Sequence, residues 1–514
     1  MEFKTSLGHT IFKQKYASHS KETWDEKSAK VVDWVCGSMK GTKNNLMAKS
    51  DRDQLTQYVS EFKFMPGGRY LWYAGKDSRF FNNCYLLKFE EDSREEWSSL
   101  SQRAMSCLMT GGGIGVDVSL CRPSNRPLRS TGGLSSGPLP LLDTLNEIGR
   151  NVMQGGSRRS ALYGSMSWQH EDARKFLSAK NWHDMNISGA YNQDGTPMSV
   201  LMTGEPGFSF NFGDKQNETL RNACTEITSE DDSDVCNLGS INLANIETIE
   251  ELKDVVTLAS KFLVCGLIRA HVPYKKVEMV RQKNSRIGLG LMGLHEWLLQ
   301  RGHKYGMNDE LQQWMNVYES ESTRAADEHC DRLFLNKPKG YRAIAPTGTI
   351  SILAGTTGGI EPIYAVAYRR RYLADGTRWK YQFVVDATAQ ALIDKGINPD
   401  DIETATDLPF YKRIEFQRDI QRYVDHGSSS TLNAPKWGSP QNNEDTLDYF
   451  ADTVIEMATP GEDGVYVKGI APYPDEGRGG QPVTAVSYKE AHSKKGVVYE
   501  DNSEQQCLSG VCNS

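Results

Sequence analysis

The sequence predicts an α/β fold, a barrel or a wound sheet. Three observations carry this. From Phe64 onward, short strand-like runs alternate with amphipathic helical stretches. Glycine clusters recur between them, at Pro66-Gly67-Gly68, Gly111-Gly112-Gly113, Gly132-Gly133, Gly155-Gly156 and Gly358-Gly359. The composition, 38% hydrophobic and 24% charged over 514 residues, is that of a folded globular chain.

The elements follow in order. Residues 1 to 60 read as a polar, helical region. Trp24, Val31, Val32, Trp34 and Val35 mark one helix, and Leu55, Tyr58 and Val59 another. Leu141, Leu142, Leu145, Ile148 and Val152 recur at helical spacing after the breaker Gly137-Pro138. Leu252, Val255, Val256, Ala259, Phe262 and Leu263 form a second stripe, with Cys265 at its end as a core residue. Phe208, Phe210 and Phe212 alternate as in a strand, and Val465-Tyr466-Val467 reads as a strand leading into Gly469-Ile470. From Gly477 the chain turns polar and reads as a mobile tail. The organisation expected is a helical region at 1–60, an α/β body at 61–480 and a flexible tail at 481–514.

Charge and hydropathy exclude several classes. A net charge of −7 gives no broad reason to bind nucleic acid. No run approaches the ~18 apolar residues of a membrane span. Met1 to Ser6 lacks the apolar stretch of a signal peptide, so a cytoplasmic protein is expected. The ten cysteines lie at 36, 84, 107, 121, 224, 236, 265, 330, 507 and 512. They are too sparse for a disulfide scaffold, and most such residues are inert core.

Two clusters depart from that. Cys507-Leu508-Ser509-Gly510-Val511-Cys512 sets two thiols five residues apart in the polar tail. It reads as a redox dithiol, with a fortuitous pair or a metal clip as the alternative. In Asn222-Ala223-Cys224-Thr225-Glu226, alternate residues of an extended segment would share a face. An amide, a thiol and a carboxylate would then point into one pocket. Gly288-x-Gly290-x-x-Gly293 fits a dinucleotide fingerprint, but Val280 to Arg286 before it is not strand-like. These glycines read as close packing, and His295 as a surface or packing residue. No His/Cys cluster has zinc spacing.

With Cys236-Asn237-Leu238-Gly239-Ser240-Ile241-Asn242-Leu243, the Asn222–Glu226 segment resembles the finger-loop region of ribonucleotide reductase catalytic subunits. Other segments resemble that family in order. They are Asn82-Asn83-Cys84, Gly111 to Gly115, Arg158-Arg159-Ser160-Ala161, Arg286 to Leu294, Pro346-Thr347-Gly348-Thr349-Ile350-Ser351, and Gly358-Gly359-Ile360-Glu361-Pro362. The resemblance implies the ten-stranded α/β barrel of the ribonucleotide reductase and glycyl radical enzyme type, with a short N-terminal helical region. It implies thiyl-radical reduction of ribonucleoside di- or triphosphates. Cys224 would carry the radical, Glu226 would be the base and Asn222 would hold the substrate. Cys84 and Cys236 would be the reducing pair, which Cys507 and Cys512 re-reduce. Pro346, Thr347, Gly348, Thr349, Ile350 and Ser351 would hold substrate phosphate, where glycine, amides and hydroxyls suit an anion. Lys180, Asn181, Trp182, His183 and Asp184 sit where the family has its specificity loop for an effector dNTP.

The same resemblance points to the radical source. Val467-Lys468-Gly469-Ile470-Ala471-Pro472-Tyr473-Pro474 resembles the run of adenosylcobalamin-dependent (class II) enzymes. Ala471 and Pro472 stand where class I subunits have a radical-carrying tyrosine pair, and Tyr466 and Tyr473 read as packing residues. Adenosylcobalamin is the cofactor expected, with no resident metal and no separate radical-generating subunit. A class I-like subunit needing such a partner is the second reading. The electron source would be a thioredoxin or glutaredoxin-type protein. The first 60 residues are too short for an ATP-cone together with a helical region, so overall ATP/dATP control is expected to be absent. Segments matching both diphosphate and triphosphate enzymes leave the substrate open. A non-reductase thiol oxidoreductase or an inactive paralogue is the reading from another class, and intact Cys224, Glu226 and both dithiols argue against it.

Overall fold

The computed structural model describes residues 2–38, 45–152, 161–179, 207–374, 378–475, 483–494 and 496–500. Its strands, in chain order, begin with β1 Phe64–Pro66, β2 Cys84–Lys88, β3 Gly113–Asp117, β4 Leu162–Ser165 and β5 Phe208–Ser209. Next come β6 Leu220–Arg221, β7 Thr228–Ser229, β8 Asp234–Asn242, β9 Ile287–Met292, β10 Ala367–Ala374 and β11 Arg378–Val385. The last are β12 Thr431–Ala434, β13 Gly469–Pro474, β14 Val483–Ala485 and β15 Val498–Glu500. With the helices between them they make an α/β fold.

One ladder organises the body. β4, β3 and β2 run parallel, and β2 pairs antiparallel with the first half of β8. β1 pairs with the second half of β8 on the same side, and β9 runs parallel along its other edge. Single bridges, Leu289 to Arg342 and Ile344 to Ser428, carry the pairing on toward β12, which is parallel to β13. β13 pairs with β5. No backbone ladder joins β5 back to β4 among the described residues, so the strands do not close as a barrel there. A side-chain bond spans the gap, from Tyr163 Oη to Ser209 Oγ at 3.0 Å.

β8 is central, and all nine of its residues are buried. Its polar side chains are therefore obliged to find partners. Asn237 Nδ2 donates to Tyr70 Oη at 2.6 Å and to the Leu263 carbonyl at 2.8 Å. The helix Ile249–Arg269 covers this strand. Its Thr248 N-cap accepts from the Glu251 amide, with Glu250 and Glu251 in its first turn and Arg269 in its last, as the helix dipole favours. Its apolar stripe, including Cys265, is fully buried.

The first 60 residues form the helices Ser6–Ile11, Trp24–Cys36 and Lys49–Ser60, with a π-helical turn at Phe12–Tyr16. They share one hydrophobic core with β9 and the Ile249–Arg269 helix. Trp24 stacks on Phe62 at 5.0 Å within that core.

Three expectations shift. The phenylalanine alternation yields strand only at Phe208–Ser209, and the other strand begins at Gly469 rather than Val465. There the chain pairs through single bonds instead, such as Phe210 N to the Lys468 carbonyl at 3.0 Å. The expected mobile tail is ordered over 483–494 and 496–500. β14 and β15 flank the β10–β11 hairpin, and the helix Tyr488–Ser493 packs on it. The cause is a few apolar residues in a polar stretch: Ala491 is buried and Tyr499 stacks on Tyr381 at 5.4 Å. No helix among the described residues is long and apolar enough to cross a membrane.

Gly115 of β3 lies under the backbone of Arg221 and Asn222, where a Cβ would collide with the Arg221 carbonyl. Backbone cannot rotate aside as a side chain can. Gly115→Ala should therefore lower the unfolding free energy by about 1–3 kcal/mol in urea titration, with an unchanged m-value.

Candidate active site

β6 and β7 form a short antiparallel hairpin, Leu220 opposite Ser229 and Arg221 opposite Thr228. Its tip carries Asn222, Cys224 and Glu226. The tip is not extended, as the alternation suggested, but a tight turn. The Thr225 amide donates to the Asn222 carbonyl at 2.9 Å, and the Ile227 amide to Asn222 Oδ1 at 2.9 Å. Thr225 has φ of 64°, a left-handed conformation that a β-branched residue rarely adopts. The turn parts the three side chains. Asn222 and Glu226 are buried, while Cys224 is exposed.

Gly427 makes room for this turn, and Gly469 lies beside it. The Gly427 amide donates to the Glu226 carbonyl at 2.7 Å, and a Cβ at Gly427 would lie 2.7 Å from the Thr225 carbonyl. A Cβ at Gly469 would stand 3.4 Å from Thr225 Oγ1.

Below the tip, Cys84 of β2 is the register partner of Cys236 on β8. Residues directly opposed on antiparallel strands sit roughly 4.5–5.5 Å apart at Cα, within the range a disulfide bridges. Asn222 Nδ2 donates to Cys84 Sγ at 3.2 Å, tying the tip to this pair. Cys84 is 8% exposed and Cys236 1%. Gly288 of β9 keeps space beside Cys236, since a Cβ there would come within 3.1 Å of its sulfur. Gly288 and Gly290 thus lie inside a strand and serve close packing, with no dinucleotide turn. His295 is likewise a packing residue, fully buried and accepting from the Ile363 amide at 2.9 Å.

Electrostatics separates the groups. Burial pushes the Glu226 carboxyl up to about 7, and its Oε2 is buried without a hydrogen-bond partner. Burial raises the Cys236 thiol well above its usual range, and the Asp234 and Glu226 carboxylates add to this. Cys236 therefore keeps its proton at neutral pH. Behind the tip, Arg286 Nε meets Asp234 Oδ2 at 2.8 Å, and Arg286 also reaches Glu218 at 3.2 Å. Glu218 Oε2 in turn accepts from Thr228 Oγ1 at 2.5 Å, bracing β7. Lys468 and Lys215 both donate to the Asp425 carbonyl, at 2.6 and 2.9 Å. Burial, with the positive Lys215 nearby, lowers Lys468 to about 7.

The segment Pro346–Ser351 leads into the short helix Ile350–Ala354. Ala343 and Ala345 before it pack with Cys236, Leu86, Leu220 and Ile227, linking this loop to the thiol pair. Thr347 has φ of 53°, and its Oγ1 accepts from the Gly359 amide at 2.8 Å. Gly348 is exposed, and a Cβ there would meet nothing within 4 Å. Cys36, Cys107, Cys121, Cys265 and Cys330 are all buried. Cys507, Cys512 and the expected specificity loop, Lys180 to Asp184, lie outside the described residues. No group of three or more metal-ligating side chains occurs among the described residues. The sequence reading missed Thr225, the Arg286–Asp234 pair and the buried Lys468. Thr225, Arg286 and Lys468 stood in motifs it quoted, without a role; Asp234 stood in none.

The family model for the ribonucleotide reductase barrel domain matches residues 82–193, 199–326 and 340–466. The chain is 24% identical to the vitamin B12-dependent ribonucleoside-diphosphate reductase of Mycobacterium tuberculosis, over 84% of this chain and 76% of that one. It is 25% identical to the adenosylcobalamin-dependent ribonucleoside-triphosphate reductase of Lactobacillus acidophilus, over 53% of this chain and 47% of that one. Its fold is similar to a crystal structure of a B-12 dependent (class II) ribonucleotide reductase, with a TM-score of 0.70 and 16% identity over 96% of this chain and 94% of the other. A class Id α subunit from Actinobacillus ureae matches with the same TM-score and identity, over 92% of this chain and 98% of that one.

The state of Glu226 sets a pH dependence. Its folded value of about 7 lies above the ordinary 4.5. Between those values the folded chain holds a proton that the unfolded chain has lost. Stability from this group is full below about pH 4.5 and lost as pH rises through about 7. Glu226→Gln should therefore shrink the fall in unfolding free energy between pH 5 and pH 8 by about 2–3 kcal/mol. Urea titrations of both proteins at the two pH values measure this, and equal falls would refute the buried acid.

Proposed function

The chain belongs to the ribonucleotide reductase family, whose barrel-domain model matches most of it; on that premise we propose that it reduces ribonucleoside di- or triphosphates to 2′-deoxyribonucleotides by thiyl-radical chemistry initiated by adenosylcobalamin. The observation that carries this is an exposed Cys224 on a turn whose Asn222 is bonded to Cys84, opposite Cys236. A radical cysteine, a substrate-holding amide and a reducing dithiol then belong to one structural unit.

Each group has a task its environment suits. Cys224, as a thiyl radical, takes the 3′ hydrogen of the ribose and later returns it. Glu226 receives the 3′-hydroxyl proton, for which a value near 7 is well placed. Asn222 orients the substrate. The 2′-hydroxyl leaves as water with one proton from the Cys84–Cys236 pair. The pair's other hydrogen and its two electrons go to the ribose at C2′, the two sulfurs become a disulfide, and Glu226 returns its proton to the 3′ oxygen. Cys507 and Cys512 reduce that disulfide by thiol exchange and are themselves reduced by a thioredoxin or glutaredoxin-type protein. Thr347, Gly348, Thr349 and Ser351 hold the substrate phosphates, and the exposed Gly348 leaves room for an anion. Lys180 to Asp184 sense an effector dNTP. The sheets β4 to β9 and β12–β13–β5, linked by single bridges and by the Tyr163–Ser209 bond, support closure as the family's ten-stranded barrel.

Cys224 also bears on the radical source. It is exposed while the other described cysteines are buried, so an initiator bound outside the tip reaches its sulfur directly. Adenosylcobalamin, when bound, supplies the organic radical that oxidises this thiol. Two curated relatives carry that dependence in their names. A separate radical subunit would need adjacent redox-active tyrosines on β13, where Ala471 and Pro472 stand.

The purified chain, assayed anaerobically with CDP or CTP and dithiothreitol, should form deoxynucleotide only when adenosylcobalamin is added. Cys224→Ser should abolish that activity, because a serine O–H bond is too strong to cycle as a radical. Inactivity with the cofactor and rescue by a metal-containing partner would overturn the reading.

Cys507→Ser combined with Cys512→Ser should stop repeated turnover driven by thioredoxin. It should spare one turnover of the pre-reduced enzyme, since Cys84 and Cys236 remain. An unchanged thioredoxin-driven rate would remove the tail from the mechanism.

A further inference from the structure

The proposed phosphate loop is backed by the N-terminal segment of the chain. The helix Ile350–Ala354 has five residues. A helix that short is not stable alone, so what packs on it sets its position. Helical bonds tie the loop to it, from Ser351 N to the Thr347 carbonyl at 2.9 Å and from Leu353 N to the Thr349 carbonyl at 3.1 Å. Any displacement of this helix therefore displaces the loop hydroxyls.

Its far side rests on Lys4 to Gly8. Gly8, in the helix Ser6–Ile11, lies so close that a Cβ would stand 2.9 Å from the Leu353 carbonyl and 3.0 Å from that of Ile352. Gly355, which ends the loop helix with φ of 67°, would meet Lys4 Cβ at 2.8 Å if it carried a Cβ. A glycine on each side of the contact lets the two backbones touch. Lys4 Nζ reaches beyond, to Asn245 Oδ1 at 3.0 Å and Glu296 Oε1 at 3.4 Å. Glu296 Oε2 accepts from Thr356 Oγ1 at 2.5 Å, so the same cluster grips the residue after the helix. Ile11 and Phe12 join Ile350 and Leu353 in one core.

We propose that Lys4 to Gly8 is a positioning element for the substrate phosphate loop, so that nucleotide affinity depends on a segment that does not touch the nucleotide. This rests on the reading of Pro346 to Ser351 as that loop.

The test measures CDP and CTP dissociation constants by calorimetry on the full chain without cofactor, and KM and kcat with it. Gly8→Ala should weaken nucleotide binding on the order of tenfold and raise KM in parallel, with kcat at saturation within about twofold. Lys4→Met, whose side chain is 40% exposed and carries little risk to folding, should weaken binding by about two- to threefold. Ser351→Ala should weaken binding by itself. Combined with Gly8→Ala, it should weaken it by less than the product of the two effects, because both act through one loop. Unchanged binding in Gly8→Ala and Lys4→Met beside a weakened Ser351→Ala would overturn the inference and leave the loop standing. Strictly multiplicative effects would overturn it too, since the segment would then act elsewhere. Unchanged binding in Ser351→Ala would remove the loop reading and this inference with it.

Discussion

The register of one strand pair governs the site. Cys84 faces Cys236 because β2 meets β8 antiparallel at that residue. Side chains alternate along a strand, so a slip by one residue would turn Cys236 to the opposite face. Several devices hold the register. β1 continues along β8 on the same side, β9 runs along its other edge, and the Ile249–Arg269 helix bonds Asn237 from above. Buried polar residues make the register specific. Asp234 is satisfied by Arg286, Asn284 and Ser229 together, and each of those bonds would be lost in a shifted pairing.

The finger turn solves a second constraint, the need for one exposed thiol beside buried groups. An extended strand would send Asn222, Cys224 and Glu226 the same way. The left-handed Thr225 breaks that alternation, leaving the sulfur outside and the carboxyl inside. Such a conformation costs energy and persists only where surroundings enforce it. The enforcement comes from the Asn222 bonds within the turn and from Gly427, about 200 residues away in sequence, which bonds the Glu226 carbonyl and admits the turn by having no side chain. The buried carboxyl also acts on the buried thiol. Burial brings Glu226 to about 7, and its carboxylate adds to the burial that keeps the proton on Cys236.

Much of this was legible in the sequence, and unevenly. Cys84, Cys224, Glu226 and Cys236 were singled out through the resemblance of the ordered runs around them, and the structure sets Cys84 opposite Cys236 with Asn222 bonded to it. The α/β class and the long helix after Thr248 followed from periodicity. The turn at Thr225 was not read, since the space it needs is left by the distant Gly427. The order at Val498–Glu500 was hidden in a polar composition, where one stacked tyrosine decides the outcome. The first helices were read as a polar, helical region, and what they pack on, the core shared with β9, was not legible. In each miss a non-local contact contributes, which local pattern does not show.

The pairing of β15 with β11 has a consequence for range. Glu500, opposite Lys380, is a fixed point on the body. Cys507 is seven residues further and Cys512 twelve, by position in the sequence. Extended chain spans at most about 3.5 Å per residue, so the two sulfurs stay within roughly 25 and 42 Å of that point. Two groups joined by so short a stretch of chain meet at an effective concentration on the order of millimolar. On the proposed shuttle role of Cys507 and Cys512, their exchange with the body would then depend on the anchor at Glu500 and the count of residues beyond it, and not on how dilute the protein is.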